Sequence, residues 1–299
     1  MDKLSLSLWI QDAIAANVPF GQFCVQSQAA ELELSEALLL ARMQDALSVM
    51  RQAIDYGLSG VRSTGGLVGG HGLRLQQYGA EPSRSPHLLG PLSTKAAAYA
   101  LAANEANAAM GKICAAPTAG SSGVIPGVLF AIAEERNLSH DELAIALTVA
   151  GAIGMVIASR ASLSGAEGGC QAECGSAAAM AAGAAVHLLG GSPDQVGQAT
   201  ALALKNLLGL VCDPVAGLVE VPCVKRNAGA AMIALLSADM ALAGIKSVIP
   251  VDEVIDAMAA VGNAMQPSLR ETGMGGLAAT PTGIECAERI FGAKSHPLE

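Results

Sequence analysis

Three cysteines sit in unusual frames: Cys170 in SGAEGGCQAEC, and Cys212 and Cys223 in GLVCDPVAGLVEVPCVKRN. Gly168 and Gly169 precede Cys170, Pro214 follows Cys212 closely, and Pro222 directly precedes Cys223. Glycine lets the backbone approach a bulky group, and proline fixes φ and removes a donor. Three thiolates converging from such loops would hold a soft metal centre and leave one coordination position free. That describes a catalytic iron–sulfur cluster better than a structural one. The spacing is neither a C-x2-C-x2-C ferredoxin run nor a paired C-x2-C zinc ribbon, so spacing alone says little. Three buried apolar cysteines, a common fate of free thiols, is the competing reading. Cys174 lies four residues after Cys170 and would share its face of a helix, as a fourth ligand or a spare thiol. Cys24, Cys114 and Cys286 have no comparable frame, and Cys286 reads as a structural residue on a C-terminal helix.

The second feature is APTAGSSGVIPG, residues 116–127. Thr118, Ser121 and Ser122 offer hydroxyls, and Gly120 and Gly123 leave backbone N–H groups accessible. A helix starting near Ser121 would favour a carboxylate or phosphate at its N-terminus. The segment lacks the lysine of a P-loop, so a small anionic substrate fits better than a nucleotide. A Gly-rich turn with a capping serine is the plainer alternative. Among five histidines, none has metal-ligand spacing. His71, in STGGLVGGHG, is either a surface loop residue or a general base. His187 reads as structural, and His87, His140 and His296 as exposed. Lys112 and Arg226 could each bind a carboxylate or serve a buried acid as partner.

These residues need elements to position them. Of 299 residues, 52% are hydrophobic but only 3% aromatic, so a core must be built from Ala, Gly, Leu and Val. Such residues suit close-packed helices better than strands. Helix formers fill 31–56, PLSTKAAAYALAANEANAAMG follows with Ser93 as a candidate N-cap, and Ser139 caps a helix expected from Asp141. Ser192–Pro193 starts another helix, and 251–265 a further one after Pro250. No period-2 strand runs or repeats occur. The architecture expected is all-α: a single domain over 1–299 with a helical entry segment over 1–50. Its Gly-rich loops would meet at one site, and 57–91 is a candidate mobile flap. The formal net charge of −9 argues against nucleic acid. The apolar stretch 143–159 is shorter than the roughly 20 residues of a membrane span and reads as a buried core helix. Seven cysteines without a signal-like start imply a reducing compartment, the cytoplasm.

AAPTAGSSGVIPG, SGAEGGCQAECGSAAAMAA, CDPVAGLVEVPCVKRN and GGLAATPTG together resemble the α subunit or α catalytic domain of iron–sulfur-dependent L-serine dehydratases, over roughly residues 50–292. The resemblance implies a helical fold around a [4Fe–4S] cluster held by Cys170, Cys212 and Cys223. Its fourth iron would be open as a Lewis acid for the serine hydroxyl. It implies deamination of L-serine to pyruvate and ammonia, with no pyridoxal phosphate, and a β subunit in a hetero-oligomer. Thr118, Gly120, Ser121 and Ser122 would hold the substrate. The base would come from His71 or from the β portion; the family more often has an acidic residue near position 71, which sets this chain apart. Two alternatives stand beside this reading: a related lyase for L-cysteine or L-threonine, and a non-catalytic iron–sulfur sensor, which would have no use for the hydroxyl-rich loop.

Overall fold

A computed structural model describes residues 3–80 and 88–292. Residues 81–87 of the expected flap, with His87, and His296 lie outside the described residues. The described chain is all-helical, with two isolated β-bridges and no strand. In chain order the helices are α1 (Leu6–Ala15), α2 (Phe20–Glu31), α3 (Glu36–Leu58), α4 (His71–Ala80), α5 (Pro91–Ala108), α6 (Val124–Arg136) and α7 (His140–Arg160). Then follow α8 (Gly165–Gly168), α9 (Ser176–Leu188), α10 (Pro193–Leu207), α11 (Cys223–Leu242), α12 (Val251–Ala264) and α13 (Pro281–Phe291).

Two Ala-rich helices form the axis. A helix apolar around its whole circumference must be buried, and α5 and α9 are buried along most of their lengths. Helix α5 packs against α3, α4, α6 and α11; α9 packs against α6, α7, α10 and α11. With alanine on one side and glycine on the other, backbones come very close. A Cβ at Gly127 of α6 would stand 2.8 Å from the Ala96 carbonyl oxygen and 2.9 Å from the Ala100 methyl. The stretch 143–159 lies in α7, which is long and apolar enough for a membrane span by composition, yet 67% of its most apolar window is buried in the fold.

Local signals set most helix ends. Ser139 and Glu142 form a reciprocal capping box at α7, and Ser192 and Gln195 form another at α10, with Pro193 in the first turn. Helix α12 starts after Pro250 as its sequence indicates. Ser93 is not an N-cap: α5 begins two residues earlier, at Pro91, whose missing N–H costs nothing in a first turn. The run 31–56 is not continuous either. Helix α2 ends at Glu31, Glu33 adopts φ 53°, and Ser35 caps α3.

Candidate active site

The three framed cysteines are all buried, at 3%, 3% and 9% exposure for Cys170, Cys212 and Cys223. Each comes from a different kind of element. Cys170 follows α8 and Gly169, whose φ of 75° favours glycine, and leads into a π-helical turn over Gln171–Gly175. Such turns are frequent at functional sites. Cys212 lies in the loop after α10 and is bridged to the 269–271 segment: its N–H donates to the Leu269 carbonyl at 2.9 Å, and its carbonyl accepts from the Glu271 N–H at 2.7 Å. Cys223 is the first residue of α11, after the cis Val221–Pro222 bond.

The three thiols are close enough to feel one another's charge. A hydrogen bond with Cys174, aided by the Arg226 guanidinium, holds Cys170 below the usual thiol range despite its burial. The same bond, then burial, drives Cys174 well above that range. Burial raises Cys212, and the charge of Glu173 adds to it. Burial, followed by the charges of Cys170 and Glu173, pushes Cys223 up to about 12. Among the described residues, no three His, Cys, Asp or Glu side chains close on one point as ligands of a single ion would.

The hydroxyl loop stands against this thiol group. No α-helix starts at Ser121; Ala119–Ser121 form a 3-10 turn, and α6 begins at Val124, so Ser121 caps nothing. Its hydroxyl lies 3.1 Å from Thr118 Oγ1 instead. Ser121 and Ser122 are buried, at 0% and 2% exposure. Thr118 Oγ1 donates to Glu173 Oε1 at 2.6 Å, and the Cys212 thiol donates to Glu173 Oε2 at 3.8 Å. Glu173 therefore joins the hydroxyl loop to a framed cysteine. Burial raises its pKa, against the hydrogen bond from Thr118. Sequence reasoning missed Glu173; the signal was an acid between two cysteines, in CQAEC, in the turn that orients Cys170.

Two buried asparagines brace the loop. Asn104 Nδ2 of α5 reaches the Ala119 and Gly120 carbonyls at 3.1 and 3.2 Å and Ser122 Oγ at 3.3 Å. Asn227 of α11 accepts from the Gly123 N–H at 2.9 Å and donates to the Gly120 and Cys223 carbonyls at 2.7 and 3.0 Å.

His71 is not in a loop; it is the first residue of α4, partly exposed. The buried Glu105 carboxylate accepts its N–H at 2.8 Å and that of Gly72 at 3.1 Å, and the His71 Nδ1 lies 3.2 Å from Glu105 Oε1 without hydrogen-bond alignment. Burial, then the Lys225 charge, lowers the His71 pKa against the pull of Glu105. The loop before it is held by Glu220, which lies between Cys212 and Cys223. Its carboxylate accepts from Ser63 Oγ and the Gly65 N–H, both at 2.6 Å, and from the Leu67 N–H at 3.0 Å. His71 and this loop line a cavity of about 560 Å³ with Arg62, Arg74 and Gln77.

The remaining candidates separate. Arg226 stands 2.8 Å from the buried Asp213 Oδ1 and donates to the Val211 carbonyl at 2.7 Å, so it serves a buried acid. Lys112 and His140 are exposed, and His187 is half-buried on α9. Cys24 is a core thiol, and Cys286 lies on α13. A cavity of about 460 Å³ beside Gly168 and Gln171 is lined by Arg160 and Arg270, but by none of the cysteines.

The fold and this group define an all-helical protein with a buried thiol, carboxylate and hydroxyl centre. The serine dehydratase alpha chain family model matches residues 15–278, and the chain belongs to that family. It is 56% identical over 267 residues to the probable L-serine dehydratase, alpha chain, of Bacillus subtilis (strain 168), covering 88% of both chains. It is 49% identical over 217 residues to the L-serine dehydratase, alpha chain, of Peptoniphilus asaccharolyticus, covering 73% of both. With L-serine dehydratase 2 of Escherichia coli (strain K12) it shares 48% identity over 182 residues, 60% of this chain and 40% of that one.

Proposed function

We propose that this chain is the α subunit of an L-serine dehydratase, a lyase releasing pyruvate and ammonia from L-serine. The observation that carries the reading, beside family membership, is the chain of contacts Thr118–Glu173–Cys212, which couples the hydroxyl loop to the thiol group. A sensor would have no need of that coupling.

The donor set fits a [4Fe–4S] cluster in kind. A single ion would draw its donors to about 2.3 Å from one point. A cluster takes its thiolates on separate irons and so spreads them more widely. Three buried cysteines within each other's field, not converging on one point, suit the second case. Cys170, Cys212 and Cys223 would hold the cluster, with Cys174 beside it as hydrogen-bond partner of Cys170. Bound there, the cluster supplies a Lewis acid for the substrate hydroxyl, a poor leaving group otherwise.

The rest falls to the chain's own side chains. Thr118, Ser121 and Ser122, with the backbone at Gly120, orient the substrate carboxylate. Asn104 and Asn227 fix that loop against the helices bearing the site. His71, kept neutral by burial and by Lys225, is this chain's candidate to accept the α-proton. The aminoacrylate left by loss of water tautomerises and hydrolyses in solution. A β subunit completes the enzyme: relatives carry the name alpha chain, and a longer relative is matched over only 40% of its length. The cytoplasm suits seven unpaired thiols.

The test is pyruvate release by anaerobically reconstituted α and β chains, with L-serine, L-threonine and L-cysteine in parallel. Turnover of L-serine is expected to exceed the other two. No pyruvate from L-serine removes the reading, and a preference for L-threonine or L-cysteine reassigns the substrate.

A further inference from the structure

We propose that the cavity beside His71 is a binding site for a phosphate group, held between Arg62 and Arg74. The proposal goes beyond the dehydratase reading and stands without it, because it rests on the cavity and its charges alone.

The cavity, of about 560 Å³, is walled by the segment from Gly60 to Gly70 and the first turns of α4. Among the described residues that line it, the ionisable ones are Arg62, His71 and Arg74, and none is acidic. Two acids stand behind the wall, and both are occupied. Glu105 accepts the His71 and Gly72 N–H groups, and Glu220 accepts the Ser63 hydroxyl and the Gly65 and Leu67 N–H groups. Among the described residues, no carboxylate pairs with either guanidinium of the cavity. Arg62 is held by a carbonyl instead: its Nη2 donates to the Gly66 oxygen at 3.2 Å. Arg74 stands exposed on α4. The charges of Lys225 and Arg74 both act on His71, so the place is positive on a chain whose net charge is −9.

Two guanidiniums sharing a cavity without an acid call for an anion of matching charge. Guanidinium forks take phosphate oxygens two N–H groups at a time. A carboxylate has one charge and two oxygens, enough for one fork. A phosphate dianion has the charge and the oxygens for both. Gly66 and Gly70 line the cavity at φ 73° and 67°, and a Cβ at Gly70 would meet nothing nearer than 4.0 Å. Without side chains at those two positions an anion can come down to the backbone. The cavity has room for more than the phosphate itself, so a small phosphate monoester fits as well as the free ion.

The experiment is calorimetric titration of the anaerobic α–β complex at constant ionic strength, with inorganic phosphate, glycerol 3-phosphate and acetate as probes. Phosphate should bind saturably and about tenfold or more tightly than acetate. Tighter binding of glycerol 3-phosphate would assign the site to a monoester, and equal or weaker binding would assign it to the free ion. Arg62→Gln and Arg74→Gln should each weaken phosphate by about tenfold or more, the loss of one charge-assisted fork. Lys112→Gln, exposed and away from the cavity, should leave it unchanged. Non-saturable uptake of phosphate by the wild type, or acetate binding as tightly, overturns the proposal without requiring any variant to fold. So does phosphate affinity retained in both arginine variants, or lost equally in Lys112→Gln.

Discussion

The Glu220 carboxylate accepts the Ser63 hydroxyl at 2.6 Å across 157 positions of sequence. It thereby ties the glycine-rich segment before His71 to the loop that joins Cys212 to Cys223. The same carboxylate takes the Gly65 and Leu67 N–H groups, so one buried side chain sets the path of the segment.

Glu220→Ala would leave the Gly65 and Leu67 N–H groups without a partner, while the Ser63 hydroxyl keeps its bond to the Val68 carbonyl, at about 1–3 kcal/mol for a buried unsatisfied group. The variant should melt several degrees lower and be cleaved by protease within residues 63–70, while α5 and α9 stay protected. An unchanged cleavage pattern would mean that the segment is held by something else.

Asn227 should matter more to catalysis than to folding. Asn227→Ala removes three hydrogen bonds that join Gly120 and Gly123 to Cys223. Pyruvate formation should fall roughly a hundredfold, the scale for a displaced positioning group, with the far-ultraviolet circular dichroism retained. Near-wild-type kcat/KM would show that the hydroxyl loop keeps its place unaided.

Cysteine-to-serine variants separate ligands from bystanders. Iron and sulfide content, measured after anaerobic purification, should collapse in Cys170→Ser, Cys212→Ser and Cys223→Ser. Cys24→Ser, in the core of the fold, should retain both. A full cluster in Cys212→Ser would strike that residue from the set.

On the acid side, Glu134 gives a stability prediction. Its partial burial opposes ionisation, but hydrogen bonds from Lys95, Arg51 and Tyr99 outweigh it and hold the carboxyl below its ordinary 4.5. A depressed carboxyl adds stability above its unfolded pKa and loses it as pH falls through the folded one. Denaturant midpoints should therefore decline from about pH 4.5 downward, and Glu134→Gln should flatten that decline. Equal slopes in both proteins would refute it. The group is about a third exposed, so the effect should be modest.

The α5–α6 contact should reject bulk. Gly127→Val would drive a branched side chain into the Ala96 carbonyl and the Ala100 methyl, at roughly 1–3 kcal/mol or more. A clear drop in melting temperature is expected, and an unchanged one would mean that the two helices can part without loss.

Much of this was legible in the chain. Ser139–Glu142 and Ser192–Gln195 announce α7 and α10 because capping is a local matter of four residues. The Ala-rich compositions of α5 and α9 announce buried helices for the same local reason. What sequence could not supply was partnership across distance. Nothing near Glu220 in the chain points to Ser63, and nothing near Glu173 points to Thr118, 55 positions away. His71 looked like a loop residue because four glycines stand in the eight residues before it; Glu105, on another helix, supplies the cap that starts α4 there. Ser121 looked like a cap because a helix does follow, but the 3-10 turn delays that helix to Val124.

The alanine interior of α5 and α9 carries a last consequence. An alanine side chain has no rotamers to freeze, so ordering these two helices forfeits little side-chain entropy compared with a leucine or methionine core. It also has none with which to adjust. Where longer side chains would absorb a small displacement by turning, these helices meet backbone to backbone and must shift as rods. The loops mounted on them inherit a frame with very few soft coordinates.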